Sequence, residues 1–268
     1  MGIEAFRYDG KRALVVGGAT GMGAATAQLV ADLGGEVIAM DVADIAYPVK
    51  EAIQVNLTQR ASVDAALDQV AGNIDALFCC AGVADGTPHL MLINFISQRY
   101  LIDRLLEKRA LPRGAAIAMI SSVAGLGWEQ ELPKLTEFLG QRSWDDAAAW
   151  IANHDGTDTY IFSKQAMNAY VAREAFSFLK RGVRINAIEP GPTDTPLARA
   201  NADLWLTFAQ DYRDEAGVET LTPQQMADTL VYLCSDAASG INGISMLVDQ
   251  GHVKSGVAGS FAPPQLGR

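Results

Sequence analysis

The 268-residue chain is 49% hydrophobic and 19% charged, a globular balance that excludes disorder and fibrous repeats. Its formal net charge of −10 comes without any Lys/Arg run, so nucleic acid and anionic membrane surfaces are poor partners. No apolar stretch reaches the ~20 residues that span a bilayer, the start MGIEAFRYDGKR lacks an apolar signal core, and three cysteines suit a reducing compartment; the expected location is the cytoplasm.

The first predicted strand, RALVVG at 12–17, runs into GGATGMGAATAQLVADLGGE, where helical spacing covers 22–33 and stops at Gly34. A second strand, EVIAMD at 36–41, ends on Asp41, and a third, AIQVN, covers 52–56. Helical spacing at 60–71 stops at Gly72, DALFCCAG at 75–82 reads as the fourth strand, and a helix is predicted over 91–109. After a fifth strand, AAIAMISS at 115–122, the segment 126–158 has helical spacing at Leu135, Phe138 and Leu139, and again at Trp144, Ala148 and Ile151, which predicts two short helices. A long helix over 159–181, stopped by Gly182, leads to VRINAIEP at 183–190, a helix over 223–235 and a last strand GISMLVD at 243–249. Aliphatic runs alternating with helical segments, with no linker or repeat, predict one α/β domain. Its sheet is of the Rossmann, doubly wound kind, with about seven parallel strands and a small helical insertion before the helix that carries Tyr160.

Glycines 17, 21 and 23 after the first strand free the backbone to turn tightly and approach a pyrophosphate at a helix N-terminus. The spacing is G-x-x-x-G-x-G, and alone it fits an ordinary tight turn as well. Asp41, 20 residues beyond Gly21 at the end of the next strand, adds a carboxylate that would accept from adenosine ribose hydroxyls and repel a 2′-phosphate, so NAD is expected over NADP. TYIFSKQAMNAY then sets Tyr160 and Lys164 four residues apart, on one helical face. A phenol ionises near pH ~10, and a cation held close favours its ionised form. A snorkelling lysine beside a core-edge aromatic would give the same pattern. His89, His154 and His252 are scattered, and no metal site is expected.

With the glycine turn, Asp41 and YIFSK together, residues 10–252 resemble the short-chain dehydrogenase/reductase family. The resemblance implies that Tyr160 is the general acid/base, Lys164 lowers its pKa, Ser122 of ISSVAG binds the substrate oxygen, and Asn94 of LINFIS kinks a helix and relays protons through a water. It also implies a nicotinamide cofactor held by Gly17, Thr20, Gly21, Met22 and Gly23, by Asn56 and Leu57 at the adenine, and by Cys80, Ala81 and Gly82. INAIEPGPTDTP adds Pro190, Gly191, Thr193 and Thr195 on the nicotinamide side, with Tyr160 and Lys164 touching the cofactor too. Two positions depart from the family pattern. Val16 replaces a usual Thr, and Cys79-Cys80 replaces a usual Asn pair; the thiols are expected to pack as small hydrophobes.

Tyr160 stands 38 positions after Ser122, a much longer separation than the family usually has. In that insertion, in the CAG turn and in a long tail over 252–268, the chain resembles the bacterial 3α-hydroxysteroid dehydrogenase/carbonyl reductases. The expected substrate is a hydrophobic secondary alcohol or ketone of steroid, terpenoid or aryl-alkyl type, bound under a lid over 195–216 by Ser122, Tyr160, Leu197 and Trp205, with Leu204 and Phe208 nearby. Trp128, Trp144 and Trp150 are expected as anchors of the insertion more than as lining of a substrate entrance. The family's assembly faces imply a homodimer if the insertion covers the helix of Tyr160, and a tetramer if it does not. A non-catalytic dinucleotide-binding regulator, or a nucleotide-sugar epimerase or dehydratase on the same fold, are the alternatives.

Overall fold

A computed structural model describes residues 2–261. Seven strands form one parallel sheet in the order β3-β2-β1-β4-β5-β6-β7. They are β1 (Arg12–Val16), β2 (Glu36–Asp41), β3 (Glu51–Gln54), β4 (Ala76–Cys79), β5 (Ala116–Ile120), β6 (Arg184–Pro190) and β7 (Ser245–Val248). The aliphatic runs of β1, β4, β5 and β6 are buried along nearly their whole length, as strands covered on both faces must be.

The helices are α1 (Gly21–Asp32), α2 (Arg60–Gln69), α3 (Ser97–Glu107), α4 (Leu132–Gly140), α5 (Trp144–Ala152), α6 (Tyr160–Arg181), α7 (Pro196–Arg199), α8 (Ala202–Trp205), α9 (Gln210–Ala216), α10 (Pro223–Cys234) and α11 (His252–Ala258). Two cores flank the sheet. Ala13, Val15 and Phe78 face Val30 of α1 and Met226 and Leu230 of α10, while Leu14, Val16 and Leu77 face Leu67, Leu101 and Val171 on the opposite side. From β1 the chain builds outward to β2 and β3, then returns to place β4 on the other flank of β1. The strand order therefore reverses between β1 and β4, and their carboxyl ends open a crevice there.

The helix predicted over 91–109 differs in detail, because its first turn is a π-helix over Leu92–Ile96 before α3 begins. A π-turn widens the helix by one residue and turns Asn94 inward, where it is fully buried. The two helices expected in the insertion are α4 and α5, but α5 buries Ala147 and Trp150 beside Trp144, and leaves Ala148 and Ile151 only partly buried. Phe138 of α4 sits among Phe95, Trp150 and Phe162 at centroid distances of 5.6, 5.2 and 5.6 Å, so the insertion is anchored in the main core. Each such aromatic pair contributes about 0.5–1.5 kcal/mol beyond its buried area. The tail expected over 252–268 begins with α11, which carried no signal in the sequence; its residues 262–268 lie outside the described ones. No described helix is long and apolar enough to cross a membrane.

Candidate active site

At the crevice between β1 and β4 the chain forms an open cleft of about 350 Å³. Its floor is the turn after β1. Gly17 has φ of +84°, and a Cβ there would meet the Ala81 nitrogen at 2.4 Å; a Cβ on Gly23 would meet the Gly17 oxygen at 1.9 Å. The turn can therefore press against both the start of α1 and the strand-four turn only because these two residues have no side chain. Thr20, Gly21, Met22 and Gly23 line the cleft with Gly17, and the free N–H groups of the first turn of α1 supply partial positive charge to it.

Asp41 stands on the same wall. Its Oδ2 accepts from the Ala19 N–H at 2.9 Å and its Oδ1 from the Ala43 N–H at 3.0 Å, so backbone holds the carboxylate in place while each oxygen keeps a second lone pair. Asn56 and Leu57 continue the wall, with the Asn56 Oδ1 occupied by the Thr58 N–H and hydroxyl at 2.9 and 2.7 Å. Cys80, Ala81, Gly82, Thr195 and Leu197 close the other side. Pro190, Gly191 and Thr193, just before Thr195 in the chain, are buried and are not among the residues lining the open cleft. Gly191 packs against Asp249, and the Thr193 hydroxyl donates to the Gly191 oxygen at 2.9 Å. Proline and glycine there serve the seam between β6 and β7 in this arrangement.

The cleft suits a nicotinamide dinucleotide: a glycine cradle at a helix N-terminus, a fixed carboxylate at the second strand end, and an apolar far end at Val83, Ile93 and Leu197. No group of His, Cys, Asp and Glu among the described residues could hold a metal ion.

Beyond that far end lie the four candidate catalytic residues. A Cβ on Gly82 would be 3.8 Å from both the Asn94 Oδ1 and the Lys164 Nζ, so this small residue joins the cleft to them. Asn94 is held on both sides: its Oδ1 accepts the Val83 N–H at 2.8 Å, and its Nδ2 donates to the Val83 oxygen and to the Ser163 hydroxyl at 3.0 and 3.2 Å. It clamps the turn after β4 onto α6. Ser122 accepts the Ala124 N–H at 3.1 Å, which starts the tight Val123–Gly125 turn.

Lys164 is 3% exposed and its Nζ donates to the Ile120 oxygen at 2.7 Å, 5.2 Å from the centre of the Tyr160 ring. Burial brings its pKa down to about 8. Burial also pushes the half-buried Tyr160 up to about 12, with the Ser122 hydroxyl opposing the rise and the Asp85 charge adding to it. The expectation that Lys164 lowers the Tyr160 pKa is thus outweighed here by desolvation, which disfavours both charged forms at once.

The lid residues separate into two groups. Trp205 packs on Tyr160 with centroids 4.9 Å apart and planes at 43°, so α8 roofs the phenol. Leu204 is 72% exposed, and Phe208 packs edge-on to His252 at 5.4 Å, so neither forms part of that roof. Tyr212 also packs on His252, at 5.1 Å, and donates to the Gln250 oxygen at 3.0 Å. Buried Arg213 donates to the Phe208 oxygen at 2.7 Å and to the Leu206 oxygen at 2.5 Å. The lid is therefore fastened to α11 by aromatic edges on His252, and the Arg213 guanidinium ties the lid's own turns together. Trp144 and Trp150 are core anchors, each 7% exposed, and Trp128 packs partly buried against the same core.

Two residues near the site carried no sequence signal. The Tyr47 hydroxyl donates to the Gly18 oxygen at 2.5 Å and props the glycine turn, and burial pushes that phenol up to about 12. Asp85 accepts the Tyr160 N–H. Both stand in irregular loops, where no periodicity points to a partner. Cys79 is buried in the core and burial pushes the Cys80 thiol up to about 12 although Lys164 is close, which fits inert packing.

Residues 11–132 match the model described as short chain dehydrogenase, and 147–252 the one described as enoyl-(acyl carrier protein) reductase. The gap between the two falls in the insertion. The chain is 30% identical over 254 residues to a cis-4-hydroxycyclohexanecarboxylate dehydrogenase of Sinomonas cyclohexanicum, covering 90% of this chain and 95% of that one. It is 27% identical to a 3-alpha-hydroxysteroid dehydrogenase/carbonyl reductase of Comamonas testosteroni, covering 89% and 95%. Among solved structures, the 3-alpha-hydroxysteroid dehydrogenase of a Pseudomonas species complexed with NADH superposes with a TM-score of 0.71 at 25% identity, over 93% of this chain and 99% of that one.

Proposed function

Because the chain belongs to the short-chain dehydrogenase family, oxidoreductases of alcohols and carbonyl compounds, we propose that it uses NAD to oxidise a hydrophobic, ring-bearing secondary alcohol, or reduces the matching ketone. The observation that carries this reading is the meeting of Tyr160, Lys164 and Ser122 at the end of the glycine-floored cleft, under the roof of Trp205. A nicotinamide dinucleotide bound in the cleft would supply the hydride acceptor or donor.

The residues supply the proton chemistry. Tyr160 takes the alcohol proton in oxidation and returns it in reduction. Lys164, cationic below pH about 8, lowers the cost of the phenolate it faces. Ser122 donates to the substrate oxygen as charge develops there. Asn94 holds the turn after β4 against α6, so that the cleft and the phenol keep one geometry. Ring-bearing substrates are favoured because Trp205 presents an aromatic face directly over the Tyr160 ring, where the substrate must meet the phenol. The names of the relatives point the same way, to a cyclohexane and a steroid ring system.

NAD is favoured by Asp41, whose fixed carboxylate on the cleft wall would repel a 2′-phosphate. The test is a turnover assay with steroid, terpenoid and aryl-alkyl carbinols, each with NAD and with NADP, following reduced cofactor. Stoichiometric NADH formation is expected with at least one class, at a kcat/KM at least about tenfold above that with NADP, or ~1.4 kcal/mol. Parity or a preference for NADP would remove the role of Asp41, and the absence of turnover with all three classes would favour a non-catalytic dinucleotide-binding protein.

A further inference from the structure

Asp85 lies in the turn between β4 and the π-helical segment, two residues after the Val83 that Asn94 clamps. It is solvent-exposed, yet its Oδ1 accepts the backbone N–H of Tyr160 at 2.7 Å, across 75 residues of sequence. Tyr160 is the first residue of α6, and its N–H is one of the donors a helix start leaves without an intrahelical acceptor. The local cap, Thr159, is occupied elsewhere, since its Oγ1 accepts from the Phe162 N–H at 3.2 Å. A reciprocal link runs the other way: the Asp158 Oδ1, at the entrance to α6, accepts the Met91 N–H of the turn at 2.9 Å. Two carboxylates thus stitch the turn that closes the cleft to the start of the helix that carries the phenol. Water would satisfy an exposed N–H equally well, so the links fix position more than they satisfy donors.

We propose that Asp85 is a positioning residue for Tyr160: it ties the first turn of α6 to the cleft, and its negative charge disfavours the phenolate. The inference rests on Tyr160 as the acid/base group. The charged and polar groups that face the phenol are Lys164 from α6, Ser122 from the turn after β5 and Asp85 from the turn after β4, while the lid contributes the uncharged Trp205. Asp158, two residues before Tyr160, spends its Oδ1 on Met91. Of these, Asp85 raises the phenol's pKa and Ser122 lowers it. A carboxylate beside a phenol disfavours ionisation, so neutralising Asp85 moves ionisation to lower pH.

Asp85→Asn keeps an Oδ1 acceptor for the Tyr160 N–H and removes the charge; Asp85→Ala removes both. In alcohol oxidation the rate rises with pH as the base ionises, and Asp85→Asn is expected to move that limb down by about half a pH unit, less at high salt, because the carboxylate is exposed. Asp85→Ala is expected to lower kcat about tenfold with little change in KM, because the phenol is displaced and not lost. Asp85→Asn should recover most of that kcat. A second readout needs no turnover. Difluorotyrosine placed at position 160, whose phenol ionises near neutrality, is titrated by absorbance in the free protein, and its midpoint should fall in the Asp85→Asn background. Wild-type kcat in Asp85→Ala would overturn the positioning role. An unmoved pH limb and an unmoved midpoint in Asp85→Asn would overturn the charge effect. Loss of all alcohol turnover in the wild type would instead count against the proposed reaction, while the titration would still decide the effect of Asp85.

Discussion

Lys164 shows how far packing and chemistry can diverge at one side chain. Its ammonium is buried with one backbone acceptor, and its pKa falls from 10.5 to about 8. A group so depressed costs stability wherever it must be charged. The unfolded state binds more protons than the folded one between pH about 8 and 10.5, so wild-type stability rises with pH through that window. Lys164→Met should therefore be more stable than wild type below pH about 8, by about 1–3 kcal/mol after losing the hydrogen bond to Ile120. That advantage should fade towards pH 10.5 in denaturant titrations, while alcohol turnover is lost at every pH. A variant less stable than wild type at neutral pH would mean that the ammonium is better solvated than its burial implies. The Tyr160–Lys164 pair was legible in the sequence because the spacing alone puts both on one helical face. The balance of forces on it was not, since desolvation depends on Trp205 and Ile120, which lie far away in the chain. Asp85 and Tyr47 were illegible for the same reason, as each acts on backbone from an irregular loop.

Among the elements, the insertion lies along much of α6. Phe138 of α4 packs on Phe162, Arg142 pairs with Glu174 at 3.1 Å, and Arg173 donates to the Thr136 oxygen at 3.4 Å, so α4 and its exit follow α6 as far as residue 174. Phe176 and Leu179 beyond it are 74% and 50% exposed. β7 is the outer strand of the sheet and half-buried throughout, beside α10. A dimer through β7 and α10, with α6 blocked by the insertion, is the expected assembly. Sedimentation of the intact protein should give a dimer, and a variant with residues 128–154 replaced by a short Gly/Ser link should shift towards a tetramer. A tetramer for the intact protein would refute the blocking role. The two insertion helices were readable from their spacing, but the buried face of α5 was shifted, because Ala148 and Ile151 border a cleft by His89 and His154 and are only partly buried. α11 was missed because it is short and its docking depends on Tyr212 and Phe208 closing on His252.

Over the whole molecule, seven aliphatic runs separated by helical spacing left little choice but a parallel, doubly wound sheet, and the switch between β1 and β4 then placed the cleft. Most of the cleft wall was legible because glycines and a strand-end carboxylate have few other reasons to recur in that order. Pro190 and Gly191 also pack against β7, and Thr193 bridges to Leu221, contacts that the sequence of one strand cannot reveal. At the end of that cleft, the phenol of Tyr160 is the group proposed to move the proton of an alcohol. Tyr160→Phe keeps the ring packed on Trp205 and removes only the oxygen. Turnover of the best alcohol with NAD, measured beside NADH binding by fluorescence, should fall by ~10²-fold or more while binding stays within a few-fold of wild type. Near wild-type turnover in Tyr160→Phe would contradict the account.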